Sequence, residues 1–159
     1  MNNLESVRRL YIFVDTTNAF AREGLLADPY VLHTVSELVR IAQIATTDEE
    51  GKLMFIIDFH TKDSVEFDRY PEHSIEGTNE VKVISELTPY TKDALIFRKN
   101  STSAMFVNNF IETILKMNNL EEVIIMGWDT DICVMNLAIA RRNLFDELNR
   151  RVKIIVPKN

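Results

Sequence analysis

The sequence predicts an α/β fold with three αβα layers, in which a doubly wound parallel sheet is sandwiched by helices. Three observations lead there. Five short runs are almost continuously apolar, the pattern of strands covered on both faces. Stretches with helical periodicity alternate with them. No repeat, low-complexity segment or linker interrupts that alternation, so residues 1–159 are expected to form one domain.

Taken in order, the first strand is "RLYIFVD" (9–15). A helix is expected in "PYVLHTVSELVRIAQIA", where Val31, Leu32, Val35, Leu38, Val39 and Ala42 follow the i, i+3, i+4 rule. The second strand is "KLMFIID" (52–58), followed by a shorter helix in "TNEVKVISEL" with Thr78 as its N-cap. "ALIFRK" (94–99) is the third strand, and "SAMFVNNFIETILKMNN" the helix behind it. "EVIIMG" (122–127) is the fourth, leading into a helix in "DICVMNLAIARRNLFDELN". The fifth is "VKIIVP" (152–157). The sequence ends at "VPKN", where a further helix would ordinarily cover the sheet, so the fold is expected to be short at its C-terminus.

Composition narrows the function. Hydrophobic residues make up 46% and charged ones 26%, the balance of a soluble globular protein. A formal net charge of −6 argues against nucleic acid, and the basic group Arg150, Arg151 and Lys153 is too small to reverse that. No apolar run is long enough to span a bilayer, and "MNNLESVRRLYIFVD" is no signal peptide, so no membrane partner is expected. One cysteine excludes an internal disulfide and points to a reducing cytoplasm. A small-molecule substrate is the expected partner, with self-association into a homo-oligomer open.

Ligands of open parallel sheets bind at the carboxyl ends of the strands. Asp15 ends the first run, Asp58 the second with His60 two residues on, Lys99 the third, and Gly127 the fourth, with Cys133 following. An Asp after a strand is more often an ordinary cap, and a lone Cys more often a small buried hydrophobe. Together they suggest one cleft. In the first turn after "WDTDI", Cys133 would meet the positive helix end and unpaired N–H groups able to hold an oxyanion. From ordinary values, moving the thiol proton to a carboxylate costs roughly 6 kcal/mol. Burial would raise the Asp15 pKa while Lys99 and the helix end lower that of the thiol, making thioester chemistry accessible. In "DFHTKDSVEFDRYPEH", Asp58 and His60 share one side of an extended backbone, and His73 returns after a loop carrying Glu66. A carboxylate and two imidazoles suit a divalent metal, although unconnected surface residues are the commoner explanation of such spacing. His33 is assigned no role.

At these residues the sequence resembles the isochorismatase-like cysteine hydrolases, whose fold is Rossmann-like, and among them the nicotinamidase group. The matching motifs are "FVDTTNAF", "DFHTKD…E…YPEHSIEGT", "FRKNSTSAMF" and "GWDTDICV", in order across residues 9–140. The resemblance implies a catalytic triad of Asp15, Lys99 and Cys133, with backbone N–H groups of Asp129 and Cys133 at the oxyanion. It implies metal ligands Asp58, His60 and His73, with Glu66 direct or through water, the metal being zinc first and iron or manganese next. It implies Phe20 and Tyr70 flanking the substrate ring, Trp128 in the substrate-binding loop, and a cis peptide before Asp129. The departures are Thr17, Ala19, Met105, and Trp128 with Asp129 where small apolar residues are usual. The early end would also omit a strand and helix of the family. The resemblance thus implies a nicotinamidase releasing ammonia from nicotinamide. The alternatives are an amidohydrolase of the same superfamily acting on another small amide, and a catalytically silent member.

Overall fold

The computed structural model describes residues 4–157. Five strands, β1 (Arg9–Val14), β2 (Gly51–Asp58), β3 (Leu95–Lys99), β4 (Glu122–Gly127) and β5 (Lys153–Ile155), form one sheet in the order β3-β2-β1-β4-β5. Every pairing is parallel. β1 lies at the centre, with Val14 opposite Ile56 on one side and Gly127 on the other. The crossovers run outward from β1 in both directions, as expected for a doubly wound sheet.

Strand alternation distributes the core. Leu10, Ile12 and Val14 of β1 face one layer, built with Phe110 and Ile114 of α3 (Phe110–Leu115) and Leu137 and Phe145 of α4 (Met135–Glu147). Tyr11 and Phe13 face the other, against Ala19 and Phe20 of α1 (Asn18–Ala21) and Leu38, Ala42 and Ala45 of α2 (Val35–Thr47). The Phe13 and Phe55 rings stack at 5.1 Å across β1 and β2. Burying each such ring stabilises the fold by about 2–3 kcal/mol. Arg141 of α4 breaks the pattern: it is fully buried with its guanidinium 4.3 Å from the Phe110 ring, and its side-chain nitrogens have no hydrogen-bond partner among the described residues. Burial alone pushes it down to about 9. No helix among the described residues is long and apolar enough to cross a membrane.

Several expected elements are shorter or absent. Residues 78–87 form turns rather than a helix. Their backbone is used elsewhere: Asn18 N–H donates to the Lys82 carbonyl and Ile84 N–H to that of Thr16, tying the segment to the exit of β1. Thr78 caps nothing; its hydroxyl donates back to the Ile75 carbonyl. The stretch 103–119 is broken into a 3₁₀ turn, Ala104–Phe106, and α3, because Asn109 takes a left-handed φ of 61° between them. Pro29–Thr34 is a tight 3₁₀ segment preceding α2, and Asp28 caps it by accepting the Tyr30 N–H. β3 is an edge strand with Ile96 and Arg98 exposed, so coverage on both faces fails there.

Candidate active site

Strands β1 to β4 bring their carboxyl ends together around the point where the strand order reverses. Asp15 follows β1 in a left-handed conformation (φ 54°), anchored by its N–H to the Ile56 carbonyl at 2.9 Å. Its Oδ1 accepts the Asp58 N–H at 2.9 Å. Asp58 ends β2 and Lys99 ends β3, paired in register. Gly127 ends β4 at φ 139°, and a Cβ there would lie 2.0 Å from the Val14 carbonyl oxygen. Only glycine permits that approach. The chain then turns through Asp129, also left-handed (φ 53°), into a wide π-type turn, Thr130–Val134, that carries Cys133. Residues held at such angles cost of order 1–3 kcal/mol and cluster at functional sites.

These turns assemble one buried cluster. Lys99 Nζ lies 3.0 Å from Asp15 Oδ2, donates to Asp58 Oδ1, and sits 3.5 Å from Cys133 Sγ. Asp15, Lys99, Asp58 and Cys133 are all buried. Burial, followed by the Asp58 charge, pushes Asp15 up to about 7 against the pull of Lys99. Burial opposes ionisation of Asp58 too, but the Lys99 ammonium and the neighbouring His60 and His73 imidazoles hold it below the usual carboxylate range. Burial works against the charge on Lys99, yet the two carboxylates drive it above the usual ammonium range. For Cys133, burial and then Asp15 push the thiol up. Lys99 does lower the thiol as expected, but burial together with Asp15 and Asp58 outweighs it, so the net direction is upward. At rest the sulfur holds its proton, with Asp15 as the neighbouring acceptor.

Beside this cluster, Asp58, His60 and His73 place ligand-type atoms within 4.8 Å of one another. His60 Nε2 is 3.6 Å from Asp58 Oδ1, and His73 Nε2 is 3.4 Å from Asp58 Oδ2. Each ring is held from behind: His60 Nδ1 donates to Asn100 Oδ1 at 2.9 Å, and His73 Nδ1 to the Pro71 carbonyl at 2.7 Å. Both Nε2 lone pairs are left facing the carboxylate, and His60 Nε2 is buried with no hydrogen-bond partner. An oriented, orphaned imidazole nitrogen beside a carboxylate fits a divalent metal. Glu66 is buried nearby but lies outside that tight triple.

Asp58, Glu66, Tyr70, His73, Asp129 and Cys133 share the wall of a cavity of about 120 Å³, closed by Leu26, Thr102 and Ile132. Its size suits a single small ring. Phe20 lies behind the cavity wall, its ring 5.8 Å from that of His73. Trp128, expected in the substrate loop, does not line the cavity. Strand parity explains this, because Met126 and Trp128 point to the α2 face on either side of Gly127. The Trp128 indole N–H donates to Thr34 Oγ1 at 3.1 Å. The cis peptide expected before Asp129 is absent, since no cis bond occurs among the described residues. Asp129 makes the turn in its left-handed conformation. Its carbonyl accepts the N–H groups of Ile132 at 3.1 Å and Val134 at 3.2 Å. Sequence reasoning missed Asn100, whose only signal is its place directly after Lys99.

The family model described as the Isochorismatase domain matches residues 9–144. No curated protein matches the chain. Among solved structures, N-carbamoylsarcosine amidase from Thermoplasma acidophilum is 27% identical with a TM-score of 0.77, over 94% of this chain and 81% of that one. The pyrazinamidase/nicotinamidase from Streptococcus mutans is 24% identical with a TM-score of 0.78, over 93% of this chain and 83% of that one. Pyrazinamidase of Pyrococcus horikoshii in complex with zinc is 18% identical with a TM-score of 0.72, over 94% of this chain and 99% of that one. The last two likenesses speak to the fold alone.

Proposed function

The chain belongs to the isochorismatase family, and we propose that within it the protein is a metal-dependent cysteine amidohydrolase acting on nicotinamide. The observation that carries this reading is Lys99 Nζ touching Asp15, Asp58 and Cys133 beside the Asp58–His60–His73 triple. Asp15 is the base, Lys99 the cation that steadies the anionic cluster, and Cys133 the nucleophile. Asp15 accepts the thiol proton as Sγ bonds to the carboxamide carbon, and N–H groups of Asp129 and Cys133 receive the oxyanion. The C–N bond then breaks, and the proton held by Asp15 leaves with the amine as ammonia. Water, deprotonated by Asp15, attacks the thioester carbon. The C–S bond breaks as the proton on Asp15 passes to the departing sulfur, and the free thiol and nicotinic acid result, the acid ionising to nicotinate.

Asp58, His60 and His73, with Glu66 direct or through a water, would hold the ion, zinc before iron or manganese. Such an ion would supply a Lewis-acid site suited to a ring nitrogen of the substrate. Tyr70 on the cavity wall and Phe20 behind His73 are assigned to flanking the ring. Ammonia release from nicotinamide by the zinc-loaded protein tests the reading. Release should be abolished by Cys133→Ala and by a chelator; a fully loaded protein that leaves nicotinamide intact would overturn it. The 27% identity to N-carbamoylsarcosine amidase supports a second reading, an amidohydrolase of another small amide. Elemental analysis separates the two, since metal-free active protein favours the second.

A further inference from the structure

We infer that Asp129 sets the charge preference of this site, favouring neutral or cationic small amides and repelling those that carry a carboxylate. The inference rests on the amidase reading and specifies its substrate class. Three carboxyl side chains, of Asp58, Glu66 and Asp129, belong to residues of the cavity wall, and no Lys or Arg does. The nearest cation, Lys99, is engaged by Asp15 and Asp58. Asp58 with the two histidines is the group a divalent ion would neutralise, and Glu66 lies next to it. Asp129 stands apart from that set, on the turn that carries the nucleophile.

Its position is fixed by the backbone. The left-handed φ of 53° and the two N–H groups bonded to its carbonyl lock the residue into the turn. Burial disfavours its ionised form. An incoming cation relieves that penalty, and an incoming carboxylate adds to it. The same repulsion acts on the product, because hydrolysis of a neutral carboxamide yields an anion. Asp129 therefore promotes product release as well as discriminating among substrates.

Calorimetric binding to zinc-loaded Cys133→Ala protein, with and without Asp129→Asn, tests this without turnover. Asn tolerates the left-handed conformation, so the turn is retained. Three pyridines serve as probes: neutral nicotinamide, anionic nicotinate and cationic 3-(aminomethyl)pyridine. Asp129→Asn should tighten nicotinate about tenfold and weaken the cation about tenfold, the scale of one screened unit charge a few ångströms away. Nicotinamide should stay within about threefold, since it carries no charge for the substitution to act on. Nicotinate and cation affinities that stay within twofold of the parent would overturn the inference, as would a parent that binds none of the probes. Failure of the parent Cys133 enzyme to hydrolyse nicotinamide, with the charge-dependent shifts intact, would sink the nicotinamidase reading and leave the selectivity standing.

Discussion

Replacing Lys99 with Met removes the one cation that lies between two buried carboxylates. At 3.0 Å from Asp15, and with an effective dielectric of about 20, the Coulomb attraction is roughly 5 kcal/mol. Part of this offsets the desolvation of the three groups, and removing one partner of such a buried pair costs about 3–5 kcal/mol. For a chain of this size that lowers Tm by roughly 6–20 °C near neutral pH. The sign with pH is specific. Without the ammonium, the folded-state pKa values of Asp15 and Asp58 rise above their unfolded values. A carboxyl raised in this way favours the folded state at low pH and loses that contribution as pH climbs through the folded value. The deficit of the variant should therefore shrink by about half or more between pH 7.5 and pH 5, because protonating one carboxyl removes much of the unpaired charge. Thermal melts of both proteins, followed by circular dichroism across that range, provide the assay. A variant melting within 2 °C of the parent at pH 7.5 would refute the claim that Lys99 compensates these charges.

Three further outcomes follow from the same structure. Arg141→Met keeps the packing against Phe110 while deleting an uncompensated buried charge, so it should raise stability by about 1–3 kcal/mol in denaturant titration. An Asp15 carboxyl held near 7 must ionise before it can take a proton, so kcat/KM should rise with pH between 5 and 8 and its acid limb should vanish with activity in Asp15→Asn. Asn100→Ala frees the back of the His60 ring, and competitive metal titration should show affinity falling about 10–100-fold with the fold intact by circular dichroism.

Much of this architecture is legible in the sequence, for a definable reason. Strands buried on both faces are written as unbroken apolar runs, so β1, β2 and β4 stand out, and the residues that end them mark the rim of the cleft. Asp15, Asp58, Lys99 and Cys133 are visible because strand ends and the nucleophile turn converge. The misreadings concern properties that no local window contains. The segment 78–87 has a helix-like apolar rhythm, but its carbonyls are claimed by the exit of β1. The orientation of Trp128 follows from its parity with Met126, which is readable once Gly127 is known to be the last strand residue. Acidity at Cys133 depends on how many carboxylates meet at one point, and the support given to His60 by Asn100 depends on ring orientation.

The central position of β1 has a consequence for biogenesis. Asp15 and Cys133 come from distant stretches of the polypeptide and meet only across the β1–β4 pairing, which closes after the two intervening strands, β2 and β3, have been made. Parallel pairings of such large sequence separation are among the slowest steps of folding. During synthesis on the ribosome Cys133 is therefore apart from Asp15, and the two come together in a single late event when β4 docks beside β1.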